Sequence, residues 1–403
     1  MDYVKPRLKL SHSITRTPDG QVAIGELAGH AYIVRDAGQA LVDLLLLLDG
    51  TRTLPRILRA LQREHPVSEA EVRTVLDKLA AAKLLDDGAR ESTVLSSAEI
   101  ERYDRQQLQF SAHETHGEPG FVYQERLKSQ VVCVLGMGGW GTWMALNLAL
   151  SGFGTIRVVD ADHVELSNLN RQVLYDDSSV GLPKVLAAKT ALNRINPHVH
   201  VDVVQEFIEP DRAQVERVLE DATLVCLCWA NQSHFVKGTA EEVVHRVAFE
   251  RGIPILEIAG DPFDIAVGPL YTNDGSGPCL RCVRPRLQKL WWGVDETISA
   301  LRKVNVQVIP LRKVNAWQSA PSLSAIAGLA ANEALTLASG YAEPALIGKR
   351  YGVSLRTYET TIDQFDKDPD CPWCAETTST SSSTVSGTNS PSTHLSTTSG
   401  RPT

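Results

Sequence analysis

The 403-residue chain has no apolar run long enough to cross a bilayer: Leu44 to Leu48 and Leu224 to Ala230 stop far short of the about 20 residues a membrane helix needs. Its first residues, MDYVKPRLKLS, lack the apolar core of a secretory signal. Both absences point to a cytoplasmic protein with reduced thiols and no membrane partner. A basic surplus is missing too. The chain carries 40 lysines and arginines against 48 acids, a net charge of −8. The first ninety or so residues are about balanced in sign, so they offer no basic face for a phosphate backbone, and no nucleic acid partner is expected.

What is present is a nucleotide-binding pattern. Val131 to Leu135 is a continuous apolar, β-branched run, the pattern of a strand buried on both faces of a parallel sheet. Gly136, Gly138, Gly139 and Gly141 follow at once. Glycines there allow a tight turn, let backbone amides approach phosphate, and let the next helix pack closely on the strand. The helix, expected from about Gly139 to Gly152, points its positive end at that phosphate. A second strand, Ile156 to Val159, ends on Asp160, where an acid can bond a ribose hydroxyl. Up to here an NAD dehydrogenase fits equally well. Beyond the second strand, Ser167, Asn168, Asn170 and Arg171 gather polar and cationic groups on the side where doubly wound sheets bind ligand, and Lys184 follows in GLPK. An enzyme that cuts between the α and β phosphates must stabilise charge on the leaving pyrophosphate, so these residues favour ATP chemistry over hydride transfer.

Four segments together resemble the ThiF/MoeB/MccB family, the bacterial relatives of ubiquitin-activating enzymes, which adenylate the C-terminal carboxylate of a protein or peptide. They are RYDRQ from Arg102 to Gln106, GMGGWG, VDADHVELSNLNRQ with GLPK, and the cysteine pairs CLRC and CPWC. The resemblance spans roughly residues 100 to 375. It implies that Gly136, Gly138, Gly139 and Gly141 bind the triphosphate, that Asp160 holds the ribose, and that Asn168, Arg171 and Lys184 contact phosphates. Asp162, Gln172 and Asn231 join the nucleotide site by the same resemblance. Arg105, the second arginine of RYDRQ, would reach into a partner subunit's site as an arginine finger, which implies a homodimer. One position departs from the pattern. The family usually places a magnesium-binding acid before the asparagine that Asn231 matches, and here that position is Ala230, whose methyl cannot ligate a hard cation. Either Asp261 or Asp264 supplies the oxygen for the Mg2+ of MgATP, or phosphates and water hold the ion, or adenylation is lost. The surviving phosphate-binding residues favour retained ATP binding.

Seven cysteines are present. Cys279 with Cys282 and Cys371 with Cys374 form two CxxC pairs, the spacing of a four-thiolate structural Zn2+ site that would staple the end of the domain to its middle. Cys133, Cys226 and Cys228 lie in apolar strands and read as small buried hydrophobes. Between Cys282 and Cys371, where thioester- or persulfide-forming relatives carry a cysteine, there is none. The segment 284–320 is instead rich in basic residues, with Trp291, Trp292, Trp317 and the repeat LRKVN at Leu301 and Leu311. It would either grip the C-terminal part of a peptide substrate or pack an ordinary subdomain.

The expected fold is α/β: a Rossmann-like adenylation domain with a mainly parallel sheet over residues 93–376, preceded at 1–92 by a small winged helix-turn-helix of three strands and three helices. The strands are placed at Leu8 to Arg16, Gln21 to Leu27 and Ala31 to Arg35. The helices are placed at Gly38 to Leu48, Leu54 to Glu64 and Glu69 to Leu84, with Ser68 and Glu71 as a capping box. That order resembles a PqqD-like domain, which would take the leader of a ribosomal precursor peptide as an added strand beside a helix. Residues Gly88 to Glu101 read as a polar linker, and 377–403, mostly Ser, Thr, Gly and Pro, as a disordered tail. The function expected is ATP-dependent adenylation of a precursor-peptide carboxylate, with a modification enzyme as a further partner. The alternatives are an inactive leader-docking partner of a cyclodehydratase and an activator of a ubiquitin-like sulfur carrier.

Overall fold

The structure, a computed structural model, describes residues 3–18, 20–26, 31–35, 37–114, 116–229, 238–260, 263–292 and 318–374, without the side chains of 288–292. The LRKVN repeats, Trp317 and the 377–403 tail lie outside the described residues, as do the side chains of Trp291 and Trp292.

The N-terminal segment buries its own cluster, with Val22, Ile24, Leu45, Ile57, Leu61 and Leu85 at its centre. Strands β2 (Ile14–Arg16), β3 (Val22–Ile24) and β4 (Tyr32–Val34) form an antiparallel sheet in that order. The expected strand from Leu8 to Arg16 is broken. β1 (Pro6–Leu8) pairs instead with β5 (Leu85–Asp87), a strand that the sequence reading assigned to no element. The break has a cause: His12 N donates to Lys9 O at 3.0 Å, closing a turn, while the Lys9 side chain is drawn into the interior. Helices α1 (Gln39–Leu47), α2 (Leu54–Leu61) and α3 (Glu69–Ala81) lie where expected. The Ser68 hydroxyl accepts from Glu71 N and the Glu71 carboxylate accepts from Ser68 N at 2.8 Å, so the capping box forms.

The 88–101 segment is more ordered than a linker. A second capping box, Ser96 with Glu99, starts α4 (Ser97–Arg102), and the buried Glu99 carboxylate also pairs with Lys128 at 2.7 Å. Next come α5 (Asp104–His113) and α6 (Gly120–Lys128).

The large sheet begins with β6 (Val131–Leu135), then β7 (Thr155–Val159) and β8 (His200–Val204) to one side. The chain returns to the other side with β9 (Leu224–Leu227) and β10 (Ile255–Gly260), giving five parallel strands in the order β8-β7-β6-β9-β10. Antiparallel β11 (Asp264–Tyr271), β12 (Lys349–Ser354) and β13 (Thr360–Gln364) extend it to eight. Alternate residues of β6 face opposite ways. Val132 and Val134 pack under α7 (Gly139–Ser151) and the long α12 (Ala320–Ser339). Cys133 and Leu135 pack on the other face with residues of α9 (Arg212–Val218), α10 (Ala240–Arg251) and α11 (Leu280–Trp292). α8 (Lys184–Ile195) links β7 to β8. The direction of winding reverses between β6 and β9, so a crevice opens beyond their carboxyl ends.

Candidate functional site

The glycine loop occupies that crevice. Gly136 has φ +93°, a left-handed value that favours glycine, and its N–H donates to Val159 O at 2.9 Å. A Cβ on Gly141 would lie 1.7 Å from Gly136 O, and one on Gly139 would lie 2.5 Å from Leu323 Cδ1 of α12. Gly141 is therefore needed for packing against backbone, whereas at Gly139 the Leu323 side chain would have to give way. Gly138 is different: a Cβ there would have nothing within 4 Å. Among the described residues nothing covers the start of α7 there, and its first amide groups have no intrahelical partner.

Asp160 follows β7 and is already engaged. Its carboxylate accepts from Met137 N at 2.7 Å and from Asp162 N at 2.8 Å, so it braces the glycine loop against the next loop. Tyr175, which sequence reasoning missed, donates its hydroxyl to Met137 O at 2.9 Å from the other side. No local pattern marks that contact, which joins residues 38 positions apart. Burial, with the charges of Asp160 and Asp162, raises the Tyr175 pKa, so the phenol stays a donor.

The loop from Asp160 to Lys184 folds back on itself through Val164 N to Leu182 O and Gly181 N to Val164 O, each 2.9 Å. Asn168 is buried, and its Oδ1 accepts from Glu165 N at 3.1 Å. Arg171 is partly buried. Its Nη1 donates to Ser167 O at 2.6 Å and to Asn170 Oδ1 at 3.1 Å, and its carbonyl accepts from Trp143 Nε1 at 3.1 Å. Gln172 is 3% exposed and its Oε1 has no hydrogen-bond partner among the described residues. Lys184 begins α8, is 7% exposed, and holds its ammonium 2.8 Å from Asp162 Oδ2. The structure thus gathers Gly136, Gly138, Gly139, Gly141, Asp160 and Asp162 about one loop pair, with Asn168, Arg171, Gln172 and Lys184 on the fold that borders it.

Arg105 is not brought to this loop. It lies in the first turn of α5 with a side chain 90% exposed, 3.1 Å from Asp104. Ala230, Asn231 and Asp261 lie outside the described residues. Asp264 is exposed at the start of β11, just past the carboxyl end of β10.

The four paired cysteines meet. Sγ separations are 3.8 Å for Cys279 to Cys282, 3.5 Å for Cys279 to Cys371, 3.6 Å for Cys282 to Cys374 and 3.7 Å for Cys374 to Cys279. All four sulfurs lie within 4.8 Å of one another. A tetrahedron with metal–sulfur bonds of about 2.3 Å has edges of about 3.8 Å, whereas a disulfide needs about 2.05 Å, so the donor set has the size of a metal cage. A hydrogen bond from Cys279 lowers the Cys282 thiol below its ordinary value. Burial pushes Cys133 up to about 12 and raises Cys226 and Cys228 as well, which leaves these three as inert core thiols.

In the N-terminal segment, β4 pairs only with β3, so its other edge is unpaired among the described residues. Tyr32 donates to Ala82 O at 3.1 Å, which sets this edge beside the end of α3. α3 also walls a cleft of about 310 Å³, lined by Tyr3, Pro6, Leu54, Pro55, Arg73, Leu76, Asp77 and Ala80. No described helix is long and apolar enough to cross a membrane.

Comparison with known proteins fits this geometry. The ThiF family profile matches residues 103–373, and a profile described as PaaA-like, N-terminal domain matches residues 11–69. The molybdopterin-synthase adenylyltransferase of Escherichia coli K12 is 30% identical over 284 residues, 70% of this chain and 99% of that protein. The crystal structure of PaaA superposes with a TM-score of 0.73 at 40% identity, covering 88% of this chain and 99% of that one. E. coli MccB, solved with AMPCPP and MccA, shares the fold at TM-score 0.68 and 21% identity, covering 92% and 99%. With a mainly parallel sheet, a glycine loop at its switch point and a profile match over most of its length, the chain belongs to the ThiF family.

Proposed function

We propose that this protein is an ATP-dependent adenylyltransferase that activates a carboxylate of a ribosomally made precursor peptide, working as a homodimer. The observation that carries the reading is the crevice itself: the amino end of α7, uncovered at Gly138 among the described residues, bordered by Arg171 and by Lys184 on its Asp162 tether. A peptide carboxylate oxygen would attack the α-phosphorus of ATP, forming the acyl–phosphate bond as the bond to pyrophosphate breaks. Glycine-loop amides, Lys184 and Arg171 would stabilise the charge that gathers on the leaving group, and buried Asn168 would orient it. Asp160 would receive the ribose, its carboxylate already fixed by two backbone amides. Gln172 Oε1, a buried acceptor without a donor among the described residues, would be satisfied by the nucleotide. Asn231 is placed in the site on the family resemblance alone. Magnesium, when bound with ATP, supplies further charge neutralisation. Ala230 offers it no oxygen, and Asp264 is an acid on the correct side of the sheet to do so.

The homodimer has a surface to form on. Leu166, Val173, Val180, Leu182 and Leu186, all exposed, lie on the same fold of chain as Asn168, Arg171 and Lys184. By the family resemblance, a second copy covering them would contribute its exposed Arg105 to this nucleotide site. The leader would add as a strand along the free edge of β4, and the cleft on α3 would take one anchoring side chain. The four cysteines would hold a structural Zn2+ that closes the tetrahedron and fixes Cys371 and Cys374 to the start of α11. On this reading residues 1–92 recognise the leader, 93–376 carry the chemistry in the cytoplasm, and the product passes to a nucleophile on the substrate or a partner modification enzyme.

Ala230 specifically favours a second reading, an inactive protein that presents the leader to another enzyme. The sulfur-carrier activator is disfavoured by the PaaA-like N-terminal match. Pyrophosphate exchange measured with a precursor peptide separates them. Exchange abolished by Lys184→Ala, and cut by about 100-fold but still measurable in Arg105→Ala, is expected. Tight leader binding with neither exchange nor ATP binding would establish the docking protein instead.

A further inference from the structure

We propose that Lys9 is a positioning residue that ties the N-terminal peptide-binding module to the helix carrying Arg105, so that module and guanidinium are placed as one unit. The inference rests on the adenylation reading for the role of Arg105, and on the geometry for the tie. Lys9 follows β1 and is 1% exposed, and its N–H donates to Leu84 O at 2.9 Å, just before β5. Its side chain leaves that cluster and crosses to α5. There the ammonium donates to Ser111 O at 3.3 Å, in the last turn, and pairs with the wholly buried Glu114 carboxylate immediately after the helix. Glu114 is itself held, its other oxygen accepting from His116 N and Gly117 N at 2.7 Å each and from the Tyr123 hydroxyl at 2.8 Å. A cation at the carbonyl end of a helix is favourable, and a buried ion pair tolerates little displacement because either charge left alone in the interior is costly. α5 has ten residues, about 15 Å of rigid rod, with Lys9 fixing one end and Arg105 in the first turn at the other. Arg7 and Asp86, 3.4 Å apart, flank the same seam. Ordinary domain packing would need only apolar contact here, whereas a lysine reaching from β1 to a helix terminus specifies one docking angle.

The test is a double-mutant cycle on pyrophosphate exchange in the full-length protein. Lys9→Met is expected to lower the exchange kcat by about 10- to 100-fold, with KM for ATP unchanged, because a guanidinium misplaced by an ångström loses most of its effect. In an Arg105→Ala background the same substitution is expected to cost less than about twofold, since its route is already gone. Glu114→Gln should reproduce Lys9→Met in both backgrounds. Full, independent losses in the two backgrounds, or exchange unaffected by Lys9→Met, would overturn the proposal. Amide hydrogen exchange supplies a readout that needs no catalysis: residues 104–113 should lose protection in Lys9→Met while β6 and β7 keep theirs. Unchanged protection of 104–113, or its loss throughout the chain, would refute the tie. If the wild-type protein shows no pyrophosphate exchange at all, adenylation is refuted, and the amide measurement still decides the role of Lys9.

Discussion

Two glycines within six residues of the end of β6 should fail in opposite ways. Gly141→Ala places a Cβ 1.7 Å from Gly136 O, a backbone atom that cannot rotate away, so α7 must shift from the strand. Overpacking of this kind costs about 1–3 kcal/mol or more, which in a domain of this size lowers the melting temperature by roughly 2–4 °C per kcal/mol. Gly138→Ala meets nothing within 4 Å among the described residues, and its φ of −81° lies outside the left-handed region that favours glycine. Its weaker N-cap and its smaller unfolded-state entropy offset one another to within about 1 kcal/mol. The methyl group would nevertheless stand where phosphate must approach the α7 amides, at a cost of about 1–3 kcal/mol, or about 10- to 100-fold in Kd. The assay is thermal melting with and without ATP. At 100 times Kd, ATP stabilises the wild type by about 2.7 kcal/mol. Gly138→Ala should melt like wild type without ATP and gain little with it, and Gly141→Ala should melt early in both. Full ATP stabilisation of Gly138→Ala would show that the nucleotide does not lie over α7.

The cysteine cage predicts one zinc per chain by metal analysis, and Cys371→Ser should lower the melting temperature by about 10 °C, as expected when several kcal/mol of metal binding are lost. A metal-free protein that melts at the same temperature would remove the zinc. The Lys9 to Glu114 seam predicts acid sensitivity. Burial would raise the Glu114 carboxyl, but the hydrogen bond and charge of Lys9, with Tyr123 and Gly117 N, hold it below its ordinary value. A depressed carboxyl contributes stability that is complete above the unfolded value of about 4.3 and is lost as pH falls through the folded value. Asp86, raised by burial, works in the other direction across the same seam. Melting followed from pH 6 downwards should therefore fall more steeply for the wild type than for Glu114→Gln below about pH 4.3, and equal slopes would refute the assignment.

The sequence shows most clearly what is decided locally. The strand-glycine-helix unit, the position of Asp160 and the Ser68 capping box all depend on residues within a few positions of one another. The cysteine pairs are legible for another reason, since thiolate spacing is rarely accidental in a chain expected to keep its thiols reduced. What the sequence hid is non-local. Nothing near Leu85 announces that it pairs with Leu8, and Lys9 and Glu114 are 105 positions apart. Tyr175 reads as an ordinary aromatic until its hydroxyl is seen on Met137 O. α4 was missed although Ser96 and Glu99 give the same capping signal as Ser68 and Glu71, because a six-residue helix has too short an apolar stripe to register. The roles of Arg105 and Lys184 come from resemblance; the geometry adds that Arg105 is exposed and that Lys184 is held by Asp162.

The central claim, that a peptide carboxylate is activated through its adenylate, is tested most directly by following its oxygen. With a precursor peptide carrying ¹⁸O in that carboxylate, attack on the α-phosphorus places one labelled oxygen between carbon and phosphorus, and the later nucleophile leaves it on AMP. The account predicts AMP carrying one ¹⁸O for each peptide modified, with unlabelled pyrophosphate. Label in inorganic phosphate with release of ADP, or AMP without label, would contradict it.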